Sequence, residues 1–187
     1  MSRVAVQHAW ALAAIVGVAS SGCLEFHQGA MPGAPKGATY ADIDGAHIRY
    51  LDEGPKDATT TPIVLVHGFA SALENWALVQ PTLKKTRRVL SLDLKGFGWS
   101  DRPPGDYSPE AEAKIVLGLM LQRGIDQADI VGHSWGASVA LAVALAAPAR
   151  VRSIALYDAW VYEEQLPSFF LWARAPGFGE TLFALFY

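Results

Sequence analysis

Apolar and polar positions change rhythm several times along the chain, and each change marks an element. "ATYADIDGAHIRYLDEG" (38–54) alternates on either side of Asp44-Gly45, the pattern of two short strands joined by a tight turn. "PIVLVHG" (62–68) is an almost continuous apolar run ending in glycine, as expected of a strand covered on both faces. "ALENWALVQPTLKK" (72–85) sets Leu73, Trp76 and Leu83 at helical spacing, with Pro81 bending or ending the helix. "RRVLSLDLKG" (87–96) predicts the next strand. "SPEAEAKIVLGLMLQRG" (108–124) opens with a serine cap and a proline in the first turn and stops at Gly124, so it reads as a helix. A strand at "ADIVGHS", a helix at "WGASVALAVALAAP" ended by Pro148, and a strand at 151–159 follow. This alternation predicts an α/β fold, a mostly parallel sheet with helices on both faces.

The N-terminal region follows another pattern. After Arg3, an apolar stretch runs from Ala9 to Ala19 and gives way to small residues and Cys23. It is short for a membrane span and fits the apolar core of a secretory signal. Small residues before a cysteine resemble a bacterial lipobox, which would make Cys23 a lipidation site, although Ser20 stands where such boxes usually carry leucine. Cleavage after Ser21 without lipidation, and a cytosolic protein with an apolar N-terminal helix, are the competing readings. Residues 24–37, rich in Gly, Pro and Ala, read as a tether. The expected organisation is therefore a signal or lipobox over 1–23, a tether over 24–37, a core over 38–159, and a further element from 160 to 187. The protein is expected to be exported, anchored to the cell envelope through a lipid or else secreted.

Composition narrows the function. Of 187 residues, 51% are hydrophobic and 18% charged, so the chain can fill a core and is not disordered. A net charge of -3 without a basic stripe argues against nucleic acid and leaves a small-molecule substrate. One cysteine excludes an internal disulfide framework. No cofactor and no metal are expected.

The chemistry centres on Gly132-His133-Ser134-Trp135-Gly136, a G-x-S-x-G pattern with a predicted strand before it and a helix after it. Such a serine sits on a strained turn that lifts its hydroxyl above the sheet, while glycines at 132 and 136 avoid a clash between strand and helix. With "VLVHGFASALENW" and "DLKGFGWSDRP", this pattern resembles a capped α/β-hydrolase of the lipase/esterase kind over about residues 38–187. The resemblance implies Ser134 as nucleophile and the backbone N–H groups of Phe69 and Trp135 as oxyanion donors. It gives His67 and Gly68 the role of shaping the oxyanion loop. A serine, where related dehalogenases and epoxide hydrolases carry aspartate, favours attack on the acyl carbon of an ester, thioester or amide. C–C bond hydrolysis and perhydrolysis are variants within the family.

A serine nucleophile needs a base, which must come within about 2.6–3.2 Å of the hydroxyl. The five histidines are His8, His27, His47, His67 and His133, and each is better read as structural or as part of the N-terminal segments. The resemblance places the histidine after two further strands, so the base is expected outside this stretch. Asp158, after the sixth predicted strand, is either the triad acid or a loop carboxylate. Phe169, Phe170, Trp172 and Phe178 resemble the start of a cap, and either line an apolar or aromatic acyl pocket or simply pack it. A non-catalytic, lipid-anchored binding module that kept the elbow and lost the triad is the alternative.

Overall fold

A computed structural model describes residues 32–57 and 60–162. Cys23, His8, His27 and the aromatic residues 169–178 lie outside the described residues, as do the apolar stretch 9–19 and nearly all of the expected cap. Among the described residues no helix is long and apolar enough to cross a membrane.

The hairpin forms as β1 (Thr39–Ile43) and β2 (Ala46–Glu53), with Asp44 and Gly45 both at positive φ in the turn. The parallel strands are β3 (Ile63–Val66), β4 (Val89–Leu92), β5 (Ala128–His133) and β6 (Val151–Tyr157). The sheet order is β1-β2-β4-β3-β5-β6, and only the β1/β2 and β2/β4 pairs are antiparallel. Helix α2 (Pro109–Gln122) begins where Ser108 Oγ accepts the Ala111 N–H at 3.2 Å, and α3 (Trp135–Ala146) follows β5 directly. The α/β architecture is the one the alternating pattern predicts.

Strand periodicity decides how the layers separate. Val64 and Val66 face the large core built with Ile115, Leu119, Val139 and Val143, whereas Ile63 and Leu65 face Trp76 and Leu83 on the opposite side. Helices therefore cover both faces.

The helix expected over 72–85 is the one substantial correction. It is split into a 3₁₀ turn (Leu73–Trp76) and a short α1 (Gln80–Leu83). Pro81 neither bends nor ends a helix; it lies in the first turn of α1, where its missing N–H has no partner to lose. Leu78, in the break, is 94% exposed.

At the start of β5, Asp129 gathers Arg87, Arg152 and Ser153, which ties β6 to the sheet. Burial opposes its ionisation, but hydrogen bonds from Arg152, Ser153 and Arg87 hold its carboxyl well below the usual carboxylate range.

Candidate active site

Ser134 lies between β5 and α3 at φ 53, ψ -121, a conformation that non-glycine residues adopt only when the surroundings impose it. The constraints are steric. A Cβ on Gly132 would come within 2.6 Å of the Ala137 Cα, and one on Gly136 would collide with the carbonyls of His67 and Val66. The helix can leave the strand this abruptly only because both positions are bare. Trp135, as the first residue of α3, has no acceptor for its N–H within the helix.

The loop after β3 lies directly against this turn. A Cβ on Gly68 would be 3.0 Å from the Ser134 Cβ and 3.2 Å from the His133 Nδ1. Next to it, His67 is fully buried, with Nε2 accepting the Leu94 N–H at 3.0 Å and Nδ1 2.7 Å from the Gly68 carbonyl. A backbone N–H can only donate, so Nε2 carries the lone pair and Nδ1 carries the proton. Burial lowers the pKa of His67, outweighing the hydrogen bond to Gly68 and the fields of Asp93 and Glu74. The ring is a neutral strut between the loops after β3 and β4. Phe97 joins the same loops through its ring contacts with His67 (5.8 Å), Phe69 (5.4 Å) and Trp135 (5.6 Å).

A buried carboxylate organises the turn after β4. Asp93 accepts from Leu73 N (2.7 Å), Trp99 N (2.8 Å) and Arg49 Nη1 (3.2 Å). Arg49, itself buried on β2, also grips Glu74 with two hydrogen bonds of 2.5 and 3.1 Å, and these hold the Glu74 carboxyl below its usual range. Behind the turn, Glu112 of α2 accepts the Lys95 N–H at 3.0 Å. Burial pushes this carboxyl up to about 8, with Lys95 opposing and Asp106 adding to the shift.

Sequence reading did not single out Arg49, Glu74, Asp93, Phe97 or Glu112. The available signal was a charged residue in an apolar frame: Arg49 between Ile48 and Tyr50, and Glu112 among the core positions of α2.

Ser134, Gly132, Trp135, Gly136, His67, Gly68 and Phe69 come together at one end of the parallel strands. Among the described residues no histidine hydrogen-bonds the Ser134 hydroxyl. His47 pairs with Asp42 on the hairpin at 2.5 Å, and the His133 ring rests on Tyr157 with centroids 5.5 Å apart. Asp158 is exposed at φ 47, one residue beyond the last register pair, His133 and Tyr157. It directly follows Tyr157, whose carbonyl accepts the Ser134 N–H. Among the described residues no group of His, Cys, Asp and Glu could hold a metal ion.

A doubly covered, mostly parallel sheet with a serine on a strained strand–helix turn defines a recognisable class. The chain belongs to the alpha/beta hydrolase fold family, whose profile matches residues 61–187. It is 36% identical over 127 residues to the 2-hydroxymuconate semialdehyde hydrolase of Pseudomonas sp. (strain CF600), covering 64% of this chain and 44% of that protein. Among solved structures, a variant of the meta-cleavage product hydrolase CumD is similar with a TM-score of 0.61 and 35% identity, covering 65% of this chain and 45% of the other. The enol-lactonase from Burkholderia xenovorans LB400 is similar with a TM-score of 0.64 and 29% identity, covering 79% and 58%. The chain spans less than half the length of the curated relatives it matches.

Proposed function

We propose that the protein is a serine hydrolase that cleaves an acyl, ester-type bond through Ser134. The observation that carries this reading is the conformation of Ser134, φ 53 and ψ -121, with Gly132 and Gly136 crowded on either side. Strain of this kind is kept where it aims a side chain. In the reaction, a histidine base takes the Ser134 proton while Oγ attacks the acyl carbon. The N–H groups of Phe69 and Trp135 receive the developing oxyanion, each such donor being worth about 2.7–4 kcal/mol in the transition state. Collapse expels the leaving oxygen, which takes the proton from the histidine and departs as the alcohol. The same base then deprotonates water, which hydrolyses the acyl-serine and returns the proton to Ser134. The base is not among the described histidines, none of which hydrogen-bonds the Ser134 hydroxyl, and Asp158, directly after β6, is the candidate acid.

The aromatic group of Phe69, Phe97 and Trp135 supports an apolar or aromatic acyl substrate. Relatives named for hydrolysing a muconate semialdehyde and an enol-lactone support hydrolytic chemistry at a carbonyl carbon. Export and a lipid on Cys23 belong to the same reading, supported by the apolar stretch 9–19 and the small residues after it.

Fluorophosphonate labelling with mass-spectrometric mapping tests the assignment. Without its base the triad's contribution is lost and only about 10³–10⁴-fold over water remains, so labelling of this chain is slow, confined to Ser134, and absent in Ser134→Ala. No label at Ser134 after prolonged incubation overturns the nucleophile. Completion within minutes overturns the missing base.

A further inference from the structure

The backbone of Ser134 is held from outside its own helix. Its N–H donates to the Tyr157 carbonyl at 2.8 Å, and its carbonyl accepts the Trp160 N–H at 3.2 Å as well as the Ala137 N–H at 3.0 Å. Between the two outside contacts the chain reverses at Asp158, φ 47, so residues 157 and 160 close on one residue. A third contact completes the arrangement: the Ser138 hydroxyl donates to the carbonyl of Trp160.

The position of Ser138 is informative. A serine inside a helix either points its hydroxyl to solvent or turns it back to the carbonyl four residues earlier, which here is that of Ser134. That carbonyl already accepts from Ala137 and Trp160, and Ser138 donates outward instead. Trp160 therefore spans the first turn of α3, its N–H on Ser134 and its carbonyl on Ser138. Residues four apart share a helix face, which makes this bridge geometrically natural.

The geometry points to Ser138 as a positioning residue that latches Trp160 across the first turn of α3 and so couples the chain leaving β6 to the backbone of the nucleophile. A residue held in a sparsely populated conformation needs its surroundings to over-determine it, and the latch supplies one such constraint on Ser134. The consequence for reactivity rests on Ser134 being the nucleophile; the latch itself does not.

Amide hydrogen exchange by NMR on the full 187-residue chain, with fluorophosphonate kinetics at Ser134, tests the coupling in wild type, Ser138→Ala and Ser138→Thr. In Ser138→Ala the Trp160 amide is expected to exchange about tenfold faster, the loss of roughly one hydrogen bond, while the amides of α2 keep their protection. The limiting labelling rate falls about fivefold with the half-saturating probe concentration unchanged, and Ser138→Thr restores both. Trp160 exchange within about twofold of wild type in a folded Ser138→Ala protein overturns the latch. An unprotected Trp160 amide in wild type overturns it without any variant. Faster exchange with unchanged labelling overturns the coupling. If wild-type Ser134 takes no label, the nucleophile fails and exchange at Trp160 alone decides the latch.

Discussion

β3 and β6 are both parallel neighbours of β5, yet different forces hold them. All four residues of β3 are buried, between β4 on one side and β5 on the other, with core on both faces. In β6, every residue after Val151 is exposed, including Ile154 at 38% and Tyr157 at 64%, and among the described residues its ladder partner is β5 alone. Burial holds β3, whereas β6 is held by its ladder to β5 and by polar contacts at its ends, the Asp129 cluster at one and Ser134 and Ser138 at the other. The elbow lies between the two. Its side toward the loop after β3 rests on the buried half of the sheet, and its other side rests on a more exposed strand. Rigidity at Ser134 therefore comes from steric contact on one side and from hydrogen bonds on the other.

The largest expected effect is on the buried side. Asp93→Ala removes the acceptor for Leu73, Trp99 and Arg49 and leaves the buried guanidinium with Glu74 as its remaining carboxylate. Breaking a buried charge pair by deleting one partner costs about 3–5 kcal/mol, and urea unfolding should show a loss of that size. A loss below about 1 kcal/mol would mean that the turn after β4 does not depend on this carboxylate.

Glu112 gives the next effect and a definite sign. Burial pushes its carboxyl up to about 8 from the usual 4.5, so across that window the folded state binds more protons than the unfolded chain. Its contribution to stability is complete below 4.5 and is lost as pH rises through about 8. The carboxylates whose pKa values are lowered, Asp52, Glu53, Glu74, Asp106 and Asp129, act in the opposite sense: they contribute above their unfolded pKa and lose that contribution as pH falls through their folded values. Between pH 5 and 7 Glu112 lowers stability by at most about 3 kcal/mol, opposed below the usual histidine value of 6.5 by His67, whose pKa burial lowers. Glu112→Gln should flatten this slope in urea titrations. An unchanged slope would assign it to other groups.

The two sides also differ in how legible they were. Apolar runs and glycine punctuation reveal β3 and the elbow because burial on both faces and a tight turn each demand particular residue types. "PIVLVHG" and Gly132-x-Ser134-x-Gly136 could be placed before any coordinates. The Arg49–Glu74–Asp93 cluster joins β2, the turn after β3 and the end of β4, segments separated by 25 and 44 residues from Arg49, and no local pattern encodes such a meeting. Leu73, Trp76 and Leu83 do have helical spacing, but the local pattern did not fix the break: Pro81 seeds a new first turn after Val79. Ser138 was invisible for a third reason. Its role depends on the reversal at Asp158, a backbone conformation rather than a composition.

The smallest expected effect on stability sharpens the contrast on the exposed side. Leu156 is 37% exposed on β6, so Leu156→Thr removes less buried apolar area than a change in the core, and it places a β-branched residue in the strand. The cost in urea unfolding should be about 1–2 kcal/mol, short of what the same change would do to Leu65 of β3, which is 1% exposed. Association should respond more strongly than stability. An exposed apolar edge strand is a template for pairing with another chain, so the wild-type chain should sediment as a concentration-dependent mixture, and Leu156→Lys should shift it toward the monomer. If Leu156→Thr cost as much as a core deletion, β6 would be held by burial like β3. A wild-type chain that stays monomeric at high concentration would mean that its edge is already covered.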